Sequence, residues 1–351
     1  MATGKETGTD SSWASQIQLS GFMALWLNAG RDFDTPLEPD SNVVRIRFAR
    51  LMVKSPLSDH FGTKLQLGFD NRNPLFDVQG TWKRYSFLNV SAGQFRLPFG
   101  ASLMQPASGP AMWDRPRYVY AMTKEGIRDV GVMLHSGKGG TVGGWLEYAL
   151  AGFNGNGRAL SGRPAERRPA ADHLYVARLA LNPGVAFLPT KGRLTIGASI
   201  ARSVDPSLVN ADGTPDESSS AFYLGSELTP FDQDRTTRLL GGELVFSAYD
   251  VWLHMEAMGL RSRPDSGQAR SGIGYSIEAG YRFSAINTQL VARIETLDPD
   301  IDVSDNEVDE TGVGLNCFVL PKLELSAYGI YSRYEAERTN AELRIKTIAR
   351  F

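Results

Sequence analysis

The chain has 351 residues, 42% of them hydrophobic, and a formal net charge of −2. No run of about 18 or more apolar residues occurs, so no transmembrane helix is encoded. The near-zero charge excludes the global basic field of a nucleic-acid-binding protein, and a single cysteine, Cys317, excludes an intrachain disulfide. The four histidines, His60, His135, His173 and His254, lack metal-ligand spacing, and no metal or other cofactor is expected. No HExxH, CxxC or Ser/His/acid set stands out, so no enzyme is expected. Residues 1–14 lack the basic start and apolar core of a signal peptide and read as a flexible N-terminal segment. If the protein is exported, its leader has been removed.

In chain order, the elements are read from alternation. Residues 15–28 place Ile17, Leu19, Met23, Leu25 and Leu27 on one parity and Gln16, Gln18, Ser20 and Asn28 on the other. Residues 43–54 are irregular, because Val44, Ile46 and Phe48 shift phase to Leu51 and Val53. That stretch fits an amphipathic helix, or a strand with a bulge near Ala49. Residues 61–70 set Phe61, Leu65, Leu67 and Phe69 against Lys64, Gln66 and Asp70. Residues 76–85 set Phe76, Val78 and Trp82 against Asp77, Gln79 and Lys83. The pattern continues through 87–96, 127–136, 141–152, 173–182, 191–203, 236–248, 250–261, 271–283, 286–297, 310–320 and 322–334. It closes with 340–351, where Leu343, Ile345 and Phe351 oppose Glu342, Arg344, Lys346 and Arg350.

These are sixteen segments of bilayer-crossing length, joined by alternating short and long connections. The polar parity carries full charges that need water. The apolar parity is bulky throughout, and no further elements remain to cover it. The expected fold is therefore all-β: a transmembrane antiparallel β-barrel of 16 strands, formed by residues 15–351 as one domain, with both termini in the periplasm. A C-terminal aromatic, Phe351, on the outward parity is the usual ending of such barrels.

Six short stretches carry a resemblance to a known family. They are GQFRLPFG (93–100), RDVGVML (128–134), YALAGFNGNG (148–157), EAGYRF (278–283), LVARIETLD (290–298) and GVGLN (312–316). Together they resemble the phosphate-selective porin O and P family of outer-membrane channels. The resemblance implies a homotrimer in the bacterial outer membrane, with a long loop 3 folded into the lumen. Residues 97–126, with Pro98, Pro106, Pro110 and Pro116, have the length for that loop. The family's binding site, carried over by local match, falls on Arg47, Lys64 and Asp77. The chain departs from the family where paired arginines are replaced by Arg47 and Phe48, and where ASLMQPASGPAMWD follows the PFG turn without a lysine.

Charges of inward parity are nearly balanced, so selectivity would rest on the narrowest level. Arg45, Arg47, Arg50 and Lys64 on the wall and Arg115, Arg117 and Lys124 on loop 3 are the pore and anion-binding candidates, with Asp77 positioning the cations. The alternative is that these groups form salt bridges that hold the loop. Arginine suits either role, because its fork binds carboxylate or phosphate. Asp298–Glu310 is an acidic outer loop that begins like a calcium loop, but Val303 stands where such loops need glycine. Arg158, Arg163, Arg167 and Arg168 form a basic outer loop facing anions or lipid phosphates.

The expected function is passive diffusion of small hydrophilic solutes, with a preference for phosphate or other small anions. Lipopolysaccharide and outer-membrane lipid are the expected surroundings. Rival readings are a structural sheath around a partner protein and an outer-membrane enzyme.

Overall fold

The computed structural model describes residues 17–32, 43–69, 74–85, 87–123, 128–136, 144–155, 173–183, 192–205, 235–265, 267–334 and 339–351. The expected N-terminal segment, the Arg158–Arg168 loop, Asp70 and Lys124 lie outside them. The strands are β1 (Gln18–Asp32), β2 (Val43–Ser58), β3 (Phe61–Gly68), β4 (Leu75–Tyr85), β5 (Leu88–Arg96), β6 (Arg128–His135), β7 (Leu146–Phe153) and β8 (Leu174–Leu181). They continue as β9 (Arg193–Asp205), β10 (Arg235–Ala248), β11 (Val251–Pro264), β12 (Arg270–Phe283), β13 (Thr288–Asp298), β14 (Val308–Leu320), β15 (Leu323–Tyr334) and β16 (Thr339–Arg350). Each pairs antiparallel with its sequence neighbours, and β1 pairs with β16, so the sixteen strands close into one barrel. Closure leaves no unpaired edge strand, which a sheet in hydrocarbon requires.

Each segment read from alternation is a strand, with ends shifted by a few residues. The outer face carries Leu19, Leu25, Val132, Leu150, Leu179, Ile200, Leu240, Ile294 and Leu343, all exposed. Exposed aromatics ring both ends. Phe61, Tyr85, Phe87, Tyr249, Tyr281 and Phe283 lie at the short-turn end, and Phe69, Tyr175, Tyr275 and Tyr331 at the other. An apolar band between aromatic girdles is stable against hydrocarbon and costly against water. Phe351 seals the β1–β16 seam: its N–H donates to the Gly21 carbonyl and its carbonyl accepts from the Gly21 N–H.

The irregular stretch at 43–54 is strand, not helix. Ala24 pairs with Phe48 and Leu25 with Ile46, so Arg47 is the extra residue of a bulge, two positions from the expected one. The bulge has a consequence that simple alternation misses. Ile46 is 59% exposed on the outside while Phe48 is 4% exposed on the inside, so Phe48 does not belong to the outward set. A second bulge acts likewise. Gln66 pairs with Asp77 and Leu67 with Leu75, leaving Phe76 extra. Phe76, expected outward, is buried next to Asp77. Each bulge turns an aromatic and a charged side chain to the same side, because two residues there oppose one.

The interior is not uniformly polar. Phe153, Leu174, Val176, Ala201, Leu239, Leu260 and Leu297 on the wall form one buried cluster with Leu97, Phe99, Leu103, Tyr118, Val119 and Met122, which follow β5. These residues after β5 include two short helices, α1 (Ala101–Met104) and α2 (Arg117–Thr123). Two wall glycines give them room. A Cβ at Gly274 would stand 2.2 Å from the Tyr118 side chain, and one at Gly241 would stand 2.9 Å from the Phe99 ring. We expect Gly274→Val to assemble as a barrel but to displace Tyr118. Single-channel recordings should then show an altered, noisier conductance with unchanged heat-resistant migration. A wild-type trace would mean that this socket does not seat the loop.

Candidate functional site

The segment from Leu97 to Thr123 is tied to side chains of many strands. The Ser102 N–H donates to Glu256 Oε2 on β11 at 3.1 Å, and the Arg117 N–H donates to Glu295 Oε1 on β13 at 2.9 Å. Each short helix thus begins on a wall carboxylate, which accepts N–H groups that the first turn cannot satisfy itself. Tyr118 Oη lies 3.0 Å from Ser276 Oγ on β12. The carbonyls of Asp114, Ala111, Met112 and Ser108 accept from Arg293, Asn316, Lys346 and Arg350 respectively. Polar side chains of β11–β14 and β16 therefore serve the loop's backbone.

Arg293 anchors this half. Fully buried, it meets Glu295 at 2.9 Å, Glu310 at 3.4 Å and Glu278 at 3.5 Å, and donates to the Asp114 carbonyl at 2.6 Å. Arg117 lies 3.5 Å from Glu310. Burial disfavours the Arg117 charge, but Tyr334, Glu310 and Glu295 outweigh it and hold its pKa above the ordinary value.

The opposite arc is basic. Asp77, 1% exposed, receives Lys64 Nζ at 2.6 Å on one oxygen and Arg128 Nε at 2.6 Å on the other. Arg50 lies with its guanidinium carbon 3.4 Å from the Phe76 ring centroid, and Arg128 lies 4.9 Å from the same ring. The Phe76 bulge thus sets an aromatic floor beneath two guanidiniums. Lys54 stands directly across from Lys64, and Arg96 directly across from Arg128. Like charges directly opposite are destabilising unless something compensates them. Asp77 compensates Lys64 and Arg128, and the Met104 carbonyl accepts from Arg96 at 3.1 Å.

The sequence-derived candidates divide accordingly. Arg50, Lys64 and Asp77 are brought together. Arg47 pairs with Asp114 at 3.2 Å and lies 4.8 Å from the Phe48 ring. Arg45 lies 5.6 Å from the Trp26 ring. Arg115 is buried, with Nε donating to the Ser102 carbonyl at 2.8 Å and Nη2 to the Gln105 carbonyl. Arg117 sits on the acidic side. Sequence reasoning missed Arg96, Arg128 and Lys54; it placed Arg293 among the inward charges without its role at the loop. Arg128 opens one of the quoted family stretches and Arg96 lies inside another, but their register pairing is visible only in the sheet.

A cavity of about 690 Å³ lies at the end of the barrel that holds Phe351. Six cationic side chains, Arg50, Lys54, Lys64, Arg96, Arg178 and Arg350, line it against two side-chain carboxylates, Asp77 and Glu147. Among the described residues no group of three or more His, Cys, Asp or Glu side chains is placed to hold a metal ion. In the acidic loop, Asp298 and Asp300 instead accept from backbone N–H groups, and Asp309 pairs with Arg333 at 2.8 Å.

No family model matches this chain, and no curated protein matches it in sequence. Solved structures match its shape. It is similar to an anion-selective porin from Comamonas acidovorans at 10% identity, with a TM-score of 0.66 and coverage of 95% of this chain and 99% of that one. It is similar to the outer-membrane channel DcaP of Acinetobacter baumannii at 12% identity, with a TM-score of 0.61 and coverage of 95% and 97%. OmpT, an outer-membrane protein of Vibrio cholerae described in a trimer form, gives 11% identity, a TM-score of 0.63 and coverage of 95% and 99%. At such identities the likeness is one of fold, and the chain has the sixteen-stranded barrel fold of outer-membrane porins.

Proposed function

We propose that the protein is a passive porin of the bacterial outer membrane that favours small anions. The loop after β5 lies across the lumen and narrows it, leaving a path along the basic arc of β2–β6. The observation that carries the anion preference is the cavity lined by six cationic side chains against two carboxylates. Arg50 and Lys64, joined by Lys54, Arg96 and Arg128, set the local potential, and Asp77 holds Lys64 and Arg128 in place. Arg45 and Arg47 extend this track along β2. Arg115 and Arg117 act by fixing the loop. A homotrimer with lipid and lipopolysaccharide around its apolar band is the working assembly. This matches one neighbour described as anion-selective and another described as a trimer.

The test is the reversal potential of the purified protein in a planar bilayer under a potassium chloride gradient. A chloride-preferring sign is expected at low salt, where charges within about 10 Å act with little screening. A potassium-preferring sign would sink the anion assignment while leaving the barrel intact.

A further inference from the structure

We propose that the cavity beside the β5–β6 loop is a binding site for organic carboxylates with an apolar body, of the benzoate type, in preference to inorganic phosphate. The proposal rests on the anion preference above and names the kind of anion. The cavity has two chemistries side by side. Arg50, Lys54, Lys64 and Arg96 provide cations on β2, β3 and β5. The same lining holds Phe22, Met52, Phe95, Leu97, Met104 and Met133.

Phosphate has acceptor oxygens on every side. Against methionine and phenylalanine some of them would lose water and gain no donor, which is costly. A carboxylate gathers its charge at one end of the molecule. Two oxygens then meet the cations, while a ring or alkyl body covers the apolar lining, and thioethers contact aromatic rings favourably. The cations match as well. Arg50 is stacked on Phe76, and a guanidinium stacked in this way is weakly hydrated. Lys54 facing Lys64 leaves one more positive charge than Asp77 can share with Lys64 and Arg128. At about 690 Å³ the cavity also has room for far more than a phosphate ion.

The experiment uses wild-type protein in planar bilayers. Chloride current is titrated with inorganic phosphate, acetate, cyclohexanecarboxylate and benzoate, with benzyl alcohol as the uncharged control. We expect half-block by benzoate and cyclohexanecarboxylate at a concentration roughly tenfold below that for phosphate or acetate, and no block by benzyl alcohol. In Met52→Gln and Met133→Gln the benzoate-to-phosphate ratio should move toward one, and in Lys64→Gln both anions should weaken together. An anion-selective channel blocked equally by phosphate and benzoate would overturn the proposal and leave the porin assignment standing. Block by benzyl alcohol as strong as that by benzoate would also overturn it. A cation-selective wild-type channel would remove the anion preference and this proposal with it.

Discussion

A channel carrying Lys54→Glu and Lys64→Glu is expected to reverse its ion preference. The two lysines face each other across β2 and β3 at the cavity wall. At an effective dielectric constant of about 20, one unit charge about 10 Å from a passing ion changes its energy by about 1.7 kcal/mol before salt screening. Two reversals alter the local charge by four units, so the sign of the potential should follow even after screening. The reversal potential in a salt gradient is the readout, with Lys54→Gln/Lys64→Gln as the intermediate. The shift should shrink toward 1 M salt, where the screening length falls to about 3 Å. If the doubly reversed channel kept the wild-type preference, the filter would lie elsewhere on the wall.

Arg293→Met is expected to loosen the loop and lower the stability of the whole barrel. Removing one partner of a buried ion pair typically costs about 3–5 kcal/mol, because the other is left buried and uncompensated. Arg293 leaves three such partners, Glu278, Glu295 and Glu310, and withdraws the donor from the Asp114 carbonyl. Thermal unfolding followed by loss of heat-resistant migration should occur at a lower temperature. Single-channel current should become larger and noisier as the loop detaches. Adding Glu295→Gln should restore part of the loss, since it removes one uncompensated charge. Unchanged unfolding and a steady wild-type current in Arg293→Met would show that the cluster does not hold the loop.

The basic and acidic arcs have different jobs, although their residues look alike in the sequence. Carboxylates of β11 and β13 accept loop N–H groups, while Asp77 holds Lys64 of β3 and Arg128 of β6. Near-balance in the list of inward charges therefore coexists with a cavity wall where Lys54, Lys64 and Arg96 outnumber Asp77, while Arg178 and Arg350 there are paired with Glu147, Glu243 and Glu324. What decides is which charges are already engaged with the loop.

Strand number, pairing and outward face were legible in the sequence because side-chain direction alternates with a period of two, and a bilayer requires bulky apolar groups on one parity of every strand. Lys64 was legible for the same reason, since it stands in the regular part of β3, and Asp77 was legible because it keeps the phase of Gln79 beyond the bulge at Phe76. Phe48 and Phe76 were not, because each sits at a bulge, and one extra residue reverses the phase locally. Nor was the apolar cluster on β7–β10, where residues that follow β5 pack against the wall. The roles of Arg115 and Arg293, and the like-charged pairs Lys54–Lys64 and Arg96–Arg128, needed the register and the fold of the loop. Periodicity along the chain thus determined that this protein is a barrel with charged side chains on its inward parity. Which charges meet in that interior was decided by tertiary structure, because two bulges and a long loop join residues that no local pattern relates.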